Sequence, residues 1–149
     1  MKKLRARAVR AASFSVNDWR ILCESTFTLV GMHVALRLVG FPRVVSWAAR
    51  TRTTRTTTWS SVEVEHAARF VATAGRLTGL LCLPRALTLT RMLARRGVTT
   101  KLRIGVRPEG DELLAHAWVE WMGRALNDDE ASLQRFAPFE RALDGISNA

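Results

Sequence analysis

The stretch Gly97-Val-Thr-Thr-Lys-Leu-Arg-Ile-Gly-Val-Arg-Pro-Glu-Gly-Asp-Glu-Leu-Leu-Ala-His-Ala-Trp-Val-Glu-Trp121 decides the fold class, because the period of the apolar residues changes here. Leu102, Ile104 and Val106 alternate with Lys101, Arg103 and Gly105, the two-residue period of a strand over residues 99–106. Pro108-Glu-Gly-Asp111 reads as a turn, and residues 113–121 as a second strand. Gly123 turns the chain again, and residues 124–127 start a third strand.

Upstream of Gly97 the apolar spacing is helical. Ser15 or Asn17 can cap a helix that runs to about Leu38, where Gly40 and Pro42 stop it. Its apolar residues cover more than one stripe, so it is expected to be well buried or to face a partner. Pro42 suits the first turn of a short helix over 42–49. Residues 51–58 are all Thr and Arg, a basic linker. Ser60-x-x-Glu63 is a capping-box pattern that opens a helix ended or bent by Gly79. A further helix is expected over 83–96, with Pro84 in its first turn and Gly97 as its stop. The tail, with Leu133, Phe136, Phe139 and Leu143, is expected to fold back as a loop or short helix. This is an α+β arrangement, helices followed by a small antiparallel sheet. It divides into an N-terminal helical region with its linker (1–58) and a core (59–149), within one compact domain.

A chain of 149 residues that is 48% hydrophobic builds a real core, which excludes wholesale disorder. Two cysteines are too few for a disulfide framework, and reduced thiols in a cytoplasmic protein fit better. The net charge of +10 is unevenly placed. Residues 1–107 carry 20 basic and 4 acidic side chains, whereas residues 108–149 carry 3 basic and 9 acidic. The basic stretches have little aromatic interleaving and no nucleic-acid module is evident, so nucleic acid is not the expected partner. The residues after the basic start include Ser13, Ser15, Asn17, Asp18 and Arg20, which breaks a signal-peptide pattern. Glu24, His33 and Arg37 interrupt the most apolar segment, so a spanning helix and membrane contact are not expected either.

The side chains able to carry chemistry are few: Cys23, Cys82, His33, His66 and His116. No metal-ligand spacing, phosphate loop, dinucleotide fingerprint or serine nucleophile elbow occurs, so neither a metal nor a cofactor is expected. Cys82 lies two residues before Pro84, at the N-terminal edge of a helix. Free N–H groups and the partial positive charge at a helix start favour a thiolate, and the same N–H groups can hold an oxyanion. The alternative for Cys82 is a small buried hydrophobe; Cys23, amid apolar neighbours, is expected to be core. His116 interrupts an apolar strand, and Asp128 follows twelve residues later, across the turn at Gly123. Side chains at 116 and 128 face each other if the hairpin has an odd-numbered loop or a bulge, whereas a two-residue loop sends them to opposite faces. If that demand is met, Asp128 orients the imidazole, His116 takes the proton of Cys82, and a Cys-His-Asp acyl-transfer constellation results.

Five ordered motifs carry a resemblance. They are Cys82-Leu-Pro-Arg-Ala-Leu87, Leu93-Ala-Arg-Arg-Gly97, Leu102-Arg-Ile-Gly-Val106, His116-Ala-Trp-Val-Glu120 and Gly123-Arg-Ala-Leu-Asn-Asp128. Together they resemble the transglutaminase-like cysteine proteases of lasso-peptide biosynthesis, closely over residues 60–140 and more loosely before. The resemblance implies a leader peptidase with Cys82 as nucleophile, His116 as base and Asp128 as orienting acid. It implies as partners the leader region of a precursor peptide, a separate small PqqD-like leader-recognition protein and the lasso cyclase. One departure stands out. Papain-like enzymes place a side-chain amide a few residues before the nucleophile, and Ala74-Gly-Arg-Leu-Thr-Gly-Leu-Leu81 has none. The Cys82 N–H is the expected oxyanion donor, with the second donor unassigned. Two other readings compete: a silent basic adaptor that binds a leader or a membrane, and a transglutaminase-like amidase or acyltransferase.

Overall fold

The computed structural model describes residues 15–50 and 59–138. Local signals place most of the helix ends. Helix α1 (Val16–Leu38) opens on Ser15, whose hydroxyl accepts from the Asp18 N–H at 3.2 Å while the Asp18 carboxylate accepts from the Ser15 N–H at 2.8 Å. Helix α2 (Phe41–Ala49) follows Gly40, with Pro42 in its first turn. Helix α3 (Ser61–Thr78) repeats the reciprocal cap with Ser60 and Glu63 and ends on Gly79 in the left-handed region. Helix α4 (Cys82–Ala94) starts on Leu81 with no side-chain cap, and Gly97 at φ 79° follows its end. The expected basic linker at 51–58 and the apolar positions Phe139 and Leu143 lie outside the described residues.

The sheet is antiparallel throughout, in the order β3 (Arg124–Ala125), β2 (Glu112–Trp121), β1 (Lys101–Glu109), β4 (Ala137–Pro138). Strand β1 (Lys101–Glu109) pairs with β2 (Glu112–Trp121) without a bulge, from Lys101↔Glu120 to Glu109↔Glu112. Pro108, expected in a turn, is therefore in strand, and the turn is confined to Gly110 and Asp111. Strand β3 is shorter than the expected 124–127, spanning only Arg124–Ala125. The tail forms a short helix α5 (Glu130–Leu133) and then β4 (Ala137–Pro138), which pairs with β1 at Gly105 and Val106. That strand was not expected from sequence: two residues carry no periodicity to read.

Helix α4 is the central element. It packs on α1, α2, α3 and both long strands, and from Ala86 to Ala94 every residue is buried. Its Ala86, Leu89, Met92 and Leu93 form the main core with Val64, Ala67, Ala68 and Val71 of α3 and Ala117 and Val119 of β2. Among the buried polar residues of α4, the Thr90 hydroxyl has no hydrogen-bond partner among the described residues, whereas Thr88 and Arg91 are engaged. Thr88 donates to the Pro84 carbonyl at 2.8 Å. Arg91 donates to the carbonyls of Trp47 and Arg50 at 3.2 and 3.0 Å and lies over the Trp47 ring, so a buried guanidinium ties down the end of α2. Helix α1 covers α3 and α4 with Leu22, Ser25, Leu29 and Met32. Its opposite side stays exposed, and so does Cys23, contrary to the expectation that this thiol is core.

Candidate active site

Cys82 is the first residue of α4 and is half-buried against the main core. The uncapped start of α4 has a chemical consequence. The backbone N–H of Arg85 is the first to be drawn back into the helix, to the Leu81 carbonyl, and Pro84 has no N–H to offer. The N–H groups of Cys82 and Leu83 therefore remain as the two donors of the first turn. Leu83 N–H is thus a candidate for the second oxyanion donor that the sequence left unassigned.

His116 and Asp128 are brought together: Nε2 of His116 lies 3.1 Å from Oδ2 of Asp128, with both side chains about one-quarter exposed. The hairpin does not meet the register demand made from sequence. Trp121 pairs with Arg124 and Glu120 with Ala125 across a two-residue turn, Met122-Gly123, with both residues at positive φ (49° and 78°). Continued to residue 128, this register would send the two side chains apart. Instead the ladder ends. The Leu126 N–H still donates to the Val119 carbonyl at 2.9 Å. The returning bond is supplied by a side chain, because the Val119 N–H donates to Oδ1 of Asn127 at 2.8 Å. With the Asn127 side chain in the place of a backbone acceptor, the chain leaves the ladder and Asp128 escapes the alternation rule. Nδ2 of Asn127 then donates to Oδ2 of Asp128 at 2.9 Å, the same oxygen that faces His116. Asn127 is thus a functional candidate that the sequence reading missed.

The imidazole is also held from the side. Regular pairing through β2 puts His116 and Trp118 on one face and Ala117 and Val119 on the other, toward α4. On the His116 face its ring lies 5.2 Å from Phe136 and 6.3 Å from Trp118, centroid to centroid. Gly105, the residue opposite His116 on β1, makes room for this group. A Cβ there would lie 2.8 Å from Cβ of Phe136 and 3.0 Å from the Trp118 ring. Trp118 Nε1 donates to Glu120 at 3.3 Å, and Glu120 pairs with Arg103 at 3.0 Å.

Two of the three expected residues are therefore in contact. The third stands at the start of the helix that packs on the other face of the same strand. Cys82 Sγ has no hydrogen-bond partner among the described residues, and Nδ1 of His116 has none either. His33 and His66 are not part of this site; His66 pairs with Asp18 at 3.1 Å. Among the described residues no group of three or more His, Cys, Asp or Glu could hold a metal ion.

A thiol at a helix start and a His–Asp pair on the adjoining sheet are the parts from which thiol-dependent acyl transfer is built. The chain belongs to the transglutaminase-like superfamily, which it matches over residues 28–141, and cysteine proteases and acyltransferases are among the members of that superfamily. The match begins inside α1 and runs through β4. Neither the curated proteins nor the solved structures provide a match.

Proposed function

We propose that the protein is a cysteine peptidase that removes the leader from a ribosomally made lasso-peptide precursor. The observation that carries the chemistry is the His116–Asp128 pair, fixed by Asn127 in a superfamily with cysteine proteases among its members. The five motifs from Cys82 to Asp128 support the narrower substrate assignment.

Asp128 holds Nε2 of His116, which leaves Nδ1 as the base for the Cys82 thiol. His116 faces away from α4 across β2, so this mechanism requires a rearrangement of the start of α4 or of the β2 edge that brings Sγ and Nδ1 to hydrogen-bond distance, a larger step than the tightening of an already facing pair. The imidazole takes the thiol proton as Sγ attacks the scissile carbonyl. The oxyanion is met by the N–H groups of Cys82 and Leu83. The imidazolium gives its proton to the departing amine of the core peptide, leaving the leader as a thioester on Cys82. His116 then deprotonates water, which releases the leader acid and the free thiol. The PqqD-like partner delivers the leader, and the cyclase takes the freed core.

The test is cleavage of the precursor, with the recognition partner present, by wild-type protein and by Cys82→Ala, His116→Ala and Asp128→Asn. The reading expects Cys82→Ala and His116→Ala to lose about 10³-fold or more in kcat, and Asp128→Asn to fall by a similar order. Equal cleavage by wild type and Cys82→Ala would overturn it. Binding of the leader without cleavage by any of them would point to the silent adaptor. Mass-spectrometric detection of amine incorporation at the cut in place of hydrolysis would point to an acyltransferase.

A further inference from the structure

Helix α1 is apolar on two sides, and the fold uses one of them. Leu22, Ser25, Leu29 and Met32 are buried. At 3.6 residues per turn, Val16, Cys23, Phe27 and Val34 fall within about 20° of one line on the opposite side, with Val30 and Leu38 within about 40° of it. Val16, Phe27 and Leu38 are 89%, 79% and 79% exposed, and Val30 and Val34 are nearly half exposed. Isolated exposed apolar residues are ordinary, but a row of them along more than six turns is a contact surface.

The surroundings of this row are cationic. Arg20 borders it on one side and, with Glu24, Arg95 and Arg96, lines an open cleft of about 440 Å³. Glu24 is already engaged, since Arg96 holds both of its carboxylate oxygens at 2.6 and 3.1 Å. Arg37 borders the row on the other side. Just before α1 in the chain, residues 1–14 contain Lys2, Lys3, Arg5, Arg7 and Arg10 and no acidic residue.

We propose that this face of α1 is an in-plane anchor that seats the protein on an anionic lipid surface. An apolar helix face and a polybasic segment are the two signals that stable peripheral binding requires. Spanning is a different matter. Although α1 is long and apolar enough to cross a membrane, its other face is occupied by α3 and α4, and Glu24 is ion-paired. Arg20 and Arg37, at the two borders of the row, can reach up to phosphates while the apolar row enters the interface. A second copy fits the face less well. Each chain carries a net charge of +10, so pairing two of these faces brings two strongly basic chains together.

The experiment is co-sedimentation of the 149-residue chain with sucrose-loaded vesicles of mixed phosphatidylglycerol and phosphatidylcholine, and of phosphatidylcholine alone. Strong partition to the anionic vesicles is expected, with little to the neutral ones. Phe27→Asp combined with Val34→Asp should lower that partition at least about tenfold, with the double variant still folded in a thermal melt because neither side chain belongs to the buried core. Failure of the wild type to pellet with anionic vesicles at low salt would overturn the proposal. So would a double variant that pellets like wild type, which would assign binding to charge alone. Light scattering that shows a wild-type dimer and a monomeric double variant, with no vesicle binding by either, would assign the face to a second copy.

Discussion

Asn127 does for Asp128 what an odd-numbered turn would otherwise have had to do. One amide accepts the Val119 N–H, ends the ladder and donates to the carboxylate that holds His116. Asn127→Ala removes both ties while leaving the His116–Asp128 contact chemically possible. Its kcat is expected to fall roughly 10–100-fold, the range seen when a group supporting a catalytic side chain is lost. KM should be little changed. A merely structural role would lower the melting temperature without lowering kcat of the folded protein at saturating substrate. Gly105 acts on the same imidazole from the opposite strand. Gly105→Ala forces Phe136 or Trp118 to move, because a Cβ at 2.8 Å from the Phe136 Cβ is untenable. A destabilisation of about 1–3 kcal/mol is expected from overpacking, read by denaturant unfolding, together with lower activity at saturating substrate. Full activity in Gly105→Ala would show that the ring stack does not position His116.

Among the elements, those with local chemical signals were legible in the sequence. Ser15, Ser60, Gly79, Pro84 and Gly97 announce helix starts and stops that the structure confirms within a few residues. The alternation of 101–106 and the apolar run of 113–121 likewise became β1 and β2. What was not legible depends on contacts distant in sequence. β4 exists because Ala137 and Pro138 meet Gly105 and Val106, and nothing in two residues encodes that meeting. The early end of β3 depends on one side-chain amide replacing one carbonyl. For the candidate site, the contact of His116 with Asp128 was expected from their spacing, whereas the means of joining them and the separation of Cys82 from His116 by β2 were not. The β2–β3 turn carries its own test. Met122 has φ 49° and is 82% exposed, so its side chain contributes little packing while its backbone sits where β-carbon-bearing residues are disfavoured. Met122→Asn should stabilise the protein by roughly 0.5–1 kcal/mol, since Asn is favoured in this turn. The measurement is the urea midpoint at unchanged slope; a lower midpoint would mean that the Met122 side chain has a packing role.

At the scale of the whole molecule, the two reciprocal caps couple the helical layer to pH. Hydrogen bonds from Ser15, side chain first and then backbone, hold the Asp18 carboxyl below the usual carboxylate range, with His66 adding to the effect. The backbone N–H of Ser60, then its hydroxyl, does the same for Glu63. A carboxylate with a depressed folded-state pKa contributes stability that is fully present above its unfolded pKa and is lost as pH falls through the folded value. Asp18 and Glu63 open α1 and α3, the two helices that share Phe70 and Ala74 with Leu22 and Leu29. Acid should therefore loosen this pair of helices together. The melting temperature is expected to be flat above about pH 5 and to fall steadily below about pH 4. Other carboxylates and the growing positive charge add to that fall, so the comparison that isolates the caps is with Asp18→Asn combined with Glu63→Gln. The double variant should start from a lower melting temperature at pH 7 and lose less of it on acidification. Parallel curves for wild type and double variant would show that the caps do not govern acid stability, and that repulsion within a strongly basic chain does.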